Sequence, residues 1–445
     1  MNTTTPPRTT LREFIDGNPI GIRQRVIVGL MFLVMIADGM EITLISHIFP
    51  SLIKAWGIPM SAITLTVAIT IVAMAVGMLL SGPAAERWGR KGVTLAAFVL
   101  FCVATACLGL SQDIQTFVLL RVVACLGLGA VMPLAMTIVD DWMPAARRAQ
   151  MVTLSFSGVA FGSIVGAYLS AAIIPVAGWQ TLALVAGLIP LIAVPFIVAL
   201  VPEAPGVLVA LGKSPERVRK TLSLIADGRD VSDVDLASPM PAATAKAPFA
   251  TVFSRPLLST TLLLWLIFCI VQGVNLLVLQ YMPILLQRPD PGLNTTQSGL
   301  IVAMWGWGGL TGQVLMSFAL KKFDRFRAMA LALGWALAGM SIVASFSLSF
   351  GQLLVVMFAI GLALPAATAA TSSLALLAYP MRARATGLGA AGFAGRLGAL
   401  GSGLLGGSLI AGGWGLSSIF LMLCTPVAAG VLTVLALRRV TGRSR

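Results

Sequence analysis

The stretch "VIVGLMFLVMIADGMEITLISHIFP", Val26–Pro50, decides the fold class and also poses the main functional question. Apart from Asp38, Glu41, His47 and a few hydroxyls it is apolar throughout. An α-helix rises about 1.5 Å per residue, so a run of this length crosses a hydrocarbon core about 30 Å thick. Backbone groups in lipid must be satisfied internally. Long continuous runs achieve this as helices, whereas strands of a membrane barrel would read as short alternating segments.

Working outward, similar runs recur near 60–83, 93–111, 115–139, 150–174 and 180–201, and again near 259–284, 297–320, 328–348, 351–378, 385–411 and 415–437. The composition agrees: 58% hydrophobic residues, 10% charged residues and a mean hydropathy of +0.96 exclude a soluble globule with an aqueous surface. The expected fold is an all-α integral membrane protein with twelve transmembrane helices in two six-helix bundles. Its expected parts are an N-terminal segment 1–25, a first bundle 26–201, a linker 202–258, a second bundle 259–437 and a tail 438–445.

A net charge of +14 could suggest nucleic acid, but its placement argues for topology instead. All but four of the 30 Lys and Arg residues lie in the N-terminal segment, the loops after even-numbered runs, the linker and the tail. The exceptions are Lys54 and Arg288 in the opposite loops, and Arg121 and Arg396 inside runs. The positive-inside rule then puts both termini and the linker in the cytoplasm of a cell with the protein in its inner membrane, with contact to anionic lipid as a secondary effect. No nucleic-acid partner is expected. The first run is too long for a cleaved signal sequence and reads as a retained helix. Within the linker, "SPERVRKTLSLI" at 214–225 reads as an amphipathic helix on the membrane surface.

Catalysis finds little support. The five cysteines sit inside apolar runs without a metal-type cluster, and there is no Walker-type glycine loop and no nucleophile with a matching base. The protein reads as no enzyme, with no cofactor and no bound metal.

The intramembrane charges are the candidate site. Asp38 and Glu41 are three apart and share one helix face, with Asp38 roughly 18 Å into its run. An ionisable group at that depth costs at least about 2.5–3.5 kcal/mol, so it should face a partner or a water-filled cavity. Arg396 lies about 16 Å into the eleventh run, too deep for comfortable snorkelling, in the small-residue stretch "GFAGRLGALGSG". Its guanidinium cannot discharge and matches a carboxylate with a planar fork. Structural ion pairing between helices is the competing reading for all three. Arg121 is only one to two turns inside its run, where snorkelling to the interface explains it equally well. His47, the only histidine, reads as an interfacial polar residue near the outer end of its run. Tyr281, Trp305, Trp307 and Trp265 are candidates to stack on an aromatic ligand, although Trp and Tyr also gather at membrane interfaces.

Local motifs add a resemblance. "GPAAERWGRKG" after the second run is similar to the Gly-x-x-x-Asp-Arg-x-Gly-Arg-Arg/Lys signature of the major facilitator superfamily, through Gly82, Glu86, Arg87, Gly89, Arg90 and Lys91. "KKFDRFR" after the eighth run repeats its core as Asp324, Arg325 and Arg327, without the central glycine. The physical reading is a cytoplasmic gate: Gly82 permits close approach, and Glu86 sits against the positive N-terminal end of a neighbouring helix, such as the one starting near Ala385. A solvated basic loop is the alternative. Asp140 and Asp141 are expected to pair there with Arg87, Arg90 or Arg147.

Three further stretches resemble the aromatic acid/proton symporter family within that superfamily: "DGMEIT", with Glu41 where the family has Asp; "YMPILL" from Tyr281; and Tyr379–Gly407, with Arg396 at the intramembrane arginine. The resemblance implies a secondary transporter that imports a benzoate- or hydroxybenzoate-type carboxylate with protons, acting as a monomeric unit. It makes Asp38 and Glu41 the proton-coupling residues, and Arg396, Arg121, Tyr281 and Trp305 the substrate-binding ones. The alternatives are a proton-coupled exporter and a non-transporting receptor or sensor. Against the exporter, the fifth run has glycines at 158, 162 and 166 but no proline among them. Against the sensor, the linker offers little room for a signalling domain.

Overall fold

The computed structural model describes residues 9–226, 230–231, 234–236, 252–379 and 384–443. Among these the chain is helical, with one isolated backbone bridge between Thr10 and Asp235. The first half comprises α1 (Leu11–Asp16), α2 (Ile22–Trp56), α3 (Met60–Trp88), α4 (Arg90–Leu108), α5 (Ile114–Trp142), α6 (Ala145–Phe156), α7 (Gly158–Leu191) and α8 (Ala193–Leu200). The linker holds α9 (Pro205–Ala210) and α10 (Pro215–Leu222). The second half comprises α11 (Arg255–Leu286), α12 (Thr295–Lys322), α13 (Arg325–Ser345), α14 (Phe350–Ala378), α15 (Arg384–Ala411) and α16 (Leu416–Arg443). Residues 237–251 of the linker, the extreme termini and Pro380–Ala383 of the motif entering α15 lie outside the described residues.

Among the described residues ten helices are long and apolar enough to cross a membrane, against twelve runs in the sequence. Two features account for the difference. Ala145–Leu200 forms one continuous stretch of 56 residues, yet its backbone turns at Gly178, where φ is 79°, a conformation open to glycine but costly for side chains with a Cβ. α15 has 28 residues, ample to span, but its many glycines and Arg396 dilute its hydropathy.

The tightest packing in the first half follows from small residues. α2 lies on α7 so closely that a Cβ on Gly39 would collide with the Val159 carbonyl, and one on Gly162 with that of Ile36. Close helix approach of this kind is how membrane interiors gain dispersion contact without a hydrophobic driving force. The glycine of "DGME" is therefore a packing residue between two carboxylates. Gly39→Val should lower the midpoint of thermal unfolding in detergent and lose folded protein, since overpacking costs about 1–3 kcal/mol even where side chains alone must move. An unchanged midpoint would contradict this contact.

The two halves meet along α7 with α12, α3 with α15, and α2 with α11. At the end remote from the chain termini these contacts are tight. Thr296 Oγ1 donates to the Ala171 carbonyl at 3.2 Å, a Cβ on Gly299 would lie 2.7 Å from that of Ala171, and Gly407 backs directly onto Thr64. At the end carrying the termini, Gly82, Glu86, Arg87 and Trp88 are exposed, with open space beside Gly82. The molecule is thus shut at one end and loose at the other.

The helix at 215–222 turns its apolar face to the chain itself, where the amphipathic pattern suggested the membrane surface. Val218 and Leu222 are buried, and Leu222 and Ile225 share an apolar cluster with Leu11, Phe14 and Ile15 of α1. The apolar face finds its partner within the chain. Polar contacts extend the attachment: Arg12 Nη2 donates to the Met143 carbonyl at 2.8 Å, and the Ala145 N–H donates to Asp16 at 2.8 Å.

Candidate functional site

The helix periodicity that puts Asp38 and Glu41 on one face of α2 also turns both inward, at 3% and 1% exposure. Glu41 forms an ion pair with Arg121 of α5, which is itself buried. Arg121 therefore does not snorkel: a buried counter-charge on the adjacent helix holds it inside. A buried ion pair of this kind stands only while both partners are present, because removing one leaves an uncompensated charge.

Asp38 differs. It has no ion-pair or hydrogen-bond partner among the described residues, and the charge that acts on it most strongly is Arg396, on α15 of the opposite half. Arg396 is half-buried and makes no direct ion pair among the described residues; its Nη2 approaches the Met78 sulfur of α3 at 3.3 Å, and a thioether is a weak acceptor. The small residues around it allow this placement, with Gly395 packed against Phe268 and Gln272 of α11. Opposite charges thus lie on the two halves within electrostatic reach of each other, with no ion pair between them.

The aromatic candidates divide. Tyr281 is fully buried and its hydroxyl donates to the Gly403 carbonyl at 2.7 Å, so in this conformation it seals α11 to α15 rather than facing an open space. Trp305 is buried where α12 meets α14, against Gly361. Trp265 stands edge-on to Phe253 with centroids 5.5 Å apart, and Trp307 is exposed. His47 is not interfacial: it is completely buried, with Nδ1 2.9 Å from the Thr43 carbonyl. The shut end encloses it, which its position near the end of an apolar run did not reveal.

Among the gate candidates, Arg90 pairs with Asp141 at 2.5 Å, one of the expected partners, whereas Asp140 pairs with Arg148 at 3.6 Å and not with Arg87, Arg90 or Arg147. In the second half Asp324 caps α13 and approaches Arg438 at 3.7 Å, while Arg325 donates to Ser373 at 3.1 Å. Arg87 lies over the ring of Trp88, with Cζ 5.5 Å from its centroid. Glu86 has no ion-pair or hydrogen-bond partner among the described residues. A different carboxylate occupies a helix N-terminus here. Glu203 accepts from the backbone N–H of Arg90 at 2.9 Å and of Lys91 at 3.1 Å, at the start of α4. Burial pushes its carboxyl above its ordinary value, and the two N–H groups and the nearby cations pull it back. The sequence reading missed Glu203; its signal was a lone acid just after the sixth apolar run, in "VPEAPG".

Residues 31–294 match the Major Facilitator Superfamily. The chain is 31% identical to a gallate transporter of Pseudomonas putida, over 96% of its own length and 94% of that protein, and 31% identical to the 4-hydroxybenzoate transporter PcaK of Pseudomonas aeruginosa, over 96% and 95%. Its fold is similar to that of a bacterial homolog to the human lysosomal transporter Spinster in an inward-facing and occupied conformation, with a TM-score of 0.65, 15% identity, and 95% and 96% of the two chains covered. The helical bundle, its multi-pass character and these relatives agree: the chain is a membrane transporter rather than an enzyme, and it belongs to the major facilitator superfamily.

Proposed function

We propose that the protein imports an aromatic carboxylate together with protons, by alternating access about a site between the two halves. The observation that carries this reading is the pair formed by Asp38, buried on one half with no bonded partner among the described residues, and Arg396, half-buried on the other and within electrostatic reach. The named relatives that transport gallate, 4-hydroxybenzoate and benzoate support the class of substrate.

The chemistry follows from charge. Arg396 presents a fork to the carboxylate of an incoming anion. That anion brings a second negative charge beside Asp38, and two anions on one guanidinium repel, so anion binding favours a proton on Asp38. By linkage a proton on Asp38 favours the anion equally, which is the thermodynamic requirement for symport rather than exchange of the two. The pair Glu41–Arg121 keeps the neighbouring charges neutral in sum, so that Asp38 is the group left to titrate. Tyr281 and Trp305, sealed among helices of the second half in this conformation, would have to turn toward the site during the transport cycle to stack on the ring of the substrate. In the outward-facing state the loose end closes, with Gly82, Glu86, Arg87, Arg90 and Asp141 of the first half meeting Asp324, Arg325 and the start of α15.

Uptake of radiolabelled benzoate, 4-hydroxybenzoate and gallate into cells with and without the protein tests the reading. Protein-dependent entry of at least one supports it, and no uptake of any aromatic acid rejects it. The orientation is tested separately. Tags at residue 1, residue 240 and residue 445 should all be shielded from membrane-impermeant reagents in intact cells. Labelling at residue 240 from outside would overturn the orientation taken from the basic loops.

A further inference from the structure

Asn275 of α11 and Thr368 of α14 lie on facing helices of the second half, and their bonding leaves one acceptor unused. Asn275 Nδ2 donates to Thr368 Oγ1 at 2.8 Å and reaches the Leu364 carbonyl at 3.4 Å. Thr368 gives its own proton to that same carbonyl at 3.2 Å. A carbonyl only accepts, so the amide nitrogen must face α14 and Oδ1 must point away from it. Oδ1 has no partner among the described residues, yet it is not one of the sealed polar atoms, and Asn275 is only half-buried. An amide whose sole task was to tie two membrane helices together would need no accessible oxygen.

The position matters as much as the chemistry. α11 packs on α2, the helix of Asp38, and on α15, where its Gln272 touches Gly395 beside Arg396. Asn275 lies about one helical turn beyond Gln272, toward the shut end, or about 5 Å farther along. An aromatic carboxylate held at Arg396 and directed inward would carry its ring substituents over that step. Resting on the import reading above, we infer that Asn275, steadied by Thr368, accepts a hydrogen bond from a ring hydroxyl of the transported acid, so that the site favours hydroxylated aromatic carboxylates over unsubstituted ones. A site built to bond a hydroxyl discriminates against the analogue lacking it, because its own polar atom is then left unpaired in the closed complex.

The test is transport of benzoate, 3-hydroxybenzoate and 4-hydroxybenzoate, measured as kcat/KM by the wild type, Asn275→Leu and Thr368→Val in proteoliposomes. The wild type should favour at least one hydroxylated acid by about tenfold or more. Asn275→Leu should erase that preference by raising the KM of the hydroxylated acid about tenfold, with benzoate changed less than about twofold. Retained benzoate transport shows that the variant is folded. Thr368→Val keeps the amide but releases it, and should reduce the preference by a smaller factor. If Asn275→Leu does not fold, an unchanged preference in Thr368→Val overturns the inference and a reduced one supports it. Equal losses for all three acids in the folded Asn275→Leu would make Asn275 a structural tie. Equal transport of all three by the wild type rejects this inference alone, whereas transport of none of them, and of no gallate either, rejects the import reading with it.

Discussion

Arg396→Ala should reduce substrate binding by roughly 30- to 4,000-fold, because truncating one partner of a desolvated charge pair costs about 2–5 kcal/mol. The structure makes Arg396 available for that role. Among the described residues it has no counter-ion in contact, only a sulfur at 3.3 Å and the more distant charge of Asp38. Arg396→Lys keeps the charge but loses the planar fork, so it should retain a fraction of the affinity rather than all of it. Equilibrium binding of a radiolabelled aromatic acid to purified protein decides the matter. Unchanged affinity in Arg396→Ala would remove this residue from the site. Arg121→Ala should behave differently: its guanidinium already serves Glu41, so its loss should appear first as instability of the fold.

The second large effect concerns the carboxylates. Asp38→Asn mimics the protonated side chain, so substrate should still enter and bind, while accumulation driven by a proton gradient should be lost. Exchange of internal for external substrate should persist, since exchange needs the loaded carrier to turn over without releasing its proton. Glu41→Gln should do something else as well. It leaves Arg121 buried without its partner, a change that typically costs about 3–5 kcal/mol, and so it should lower folded yield along with transport. Double replacement of Arg121 and Glu41 by neutral residues of similar size should recover stability relative to Glu41→Gln alone, because no uncompensated charge remains. Thermal unfolding in detergent, read beside exchange and accumulation in proteoliposomes, separates the two carboxylates. Full gradient-driven accumulation by Asp38→Asn with Glu41→Gln would show that the proton travels elsewhere.

How far the sequence was legible can be traced through these residues. Run length and basic-loop bias were enough for an all-helical bundle, because lipid leaves the backbone few options. Two places depart from the run pattern: the fifth and sixth runs follow each other with only a turn at Gly178 between them and no loop, and α15 has traded apolar residues for the glycines that surround Arg396. Asp38, Glu41 and Arg396 were legible as candidates because a charge at depth is costly and therefore rare. Their partners were not. Depth along a helix does not tell which neighbouring helix supplies the counter-charge, so for Arg121 snorkelling and a place in the site stood level until α5 was seen beside α2. Neutral polar residues such as Asn275 and Thr368 carry no such cost signal and surface only when hydrogen bonds can be followed atom by atom. Glu203 was hidden for another reason: a lone acid in a loop is unremarkable until the N-terminus of α4 is found above it. The motif had directed attention to Glu86 instead, which is exposed while the loose end stands open.

In the proposed cycle anion and proton move together, bound by Arg396 and Asp38 on opposite halves. Its most direct test uses proteoliposomes holding the wild-type protein, an internal pH indicator and external radiolabelled substrate at low outside pH. The account predicts accumulation of substrate above equilibrium, acidification of the lumen beyond the leak seen without substrate, and collapse of accumulation with a protonophore. Substrate entry that leaves luminal pH at the leak rate, or that makes the lumen more alkaline, would contradict it.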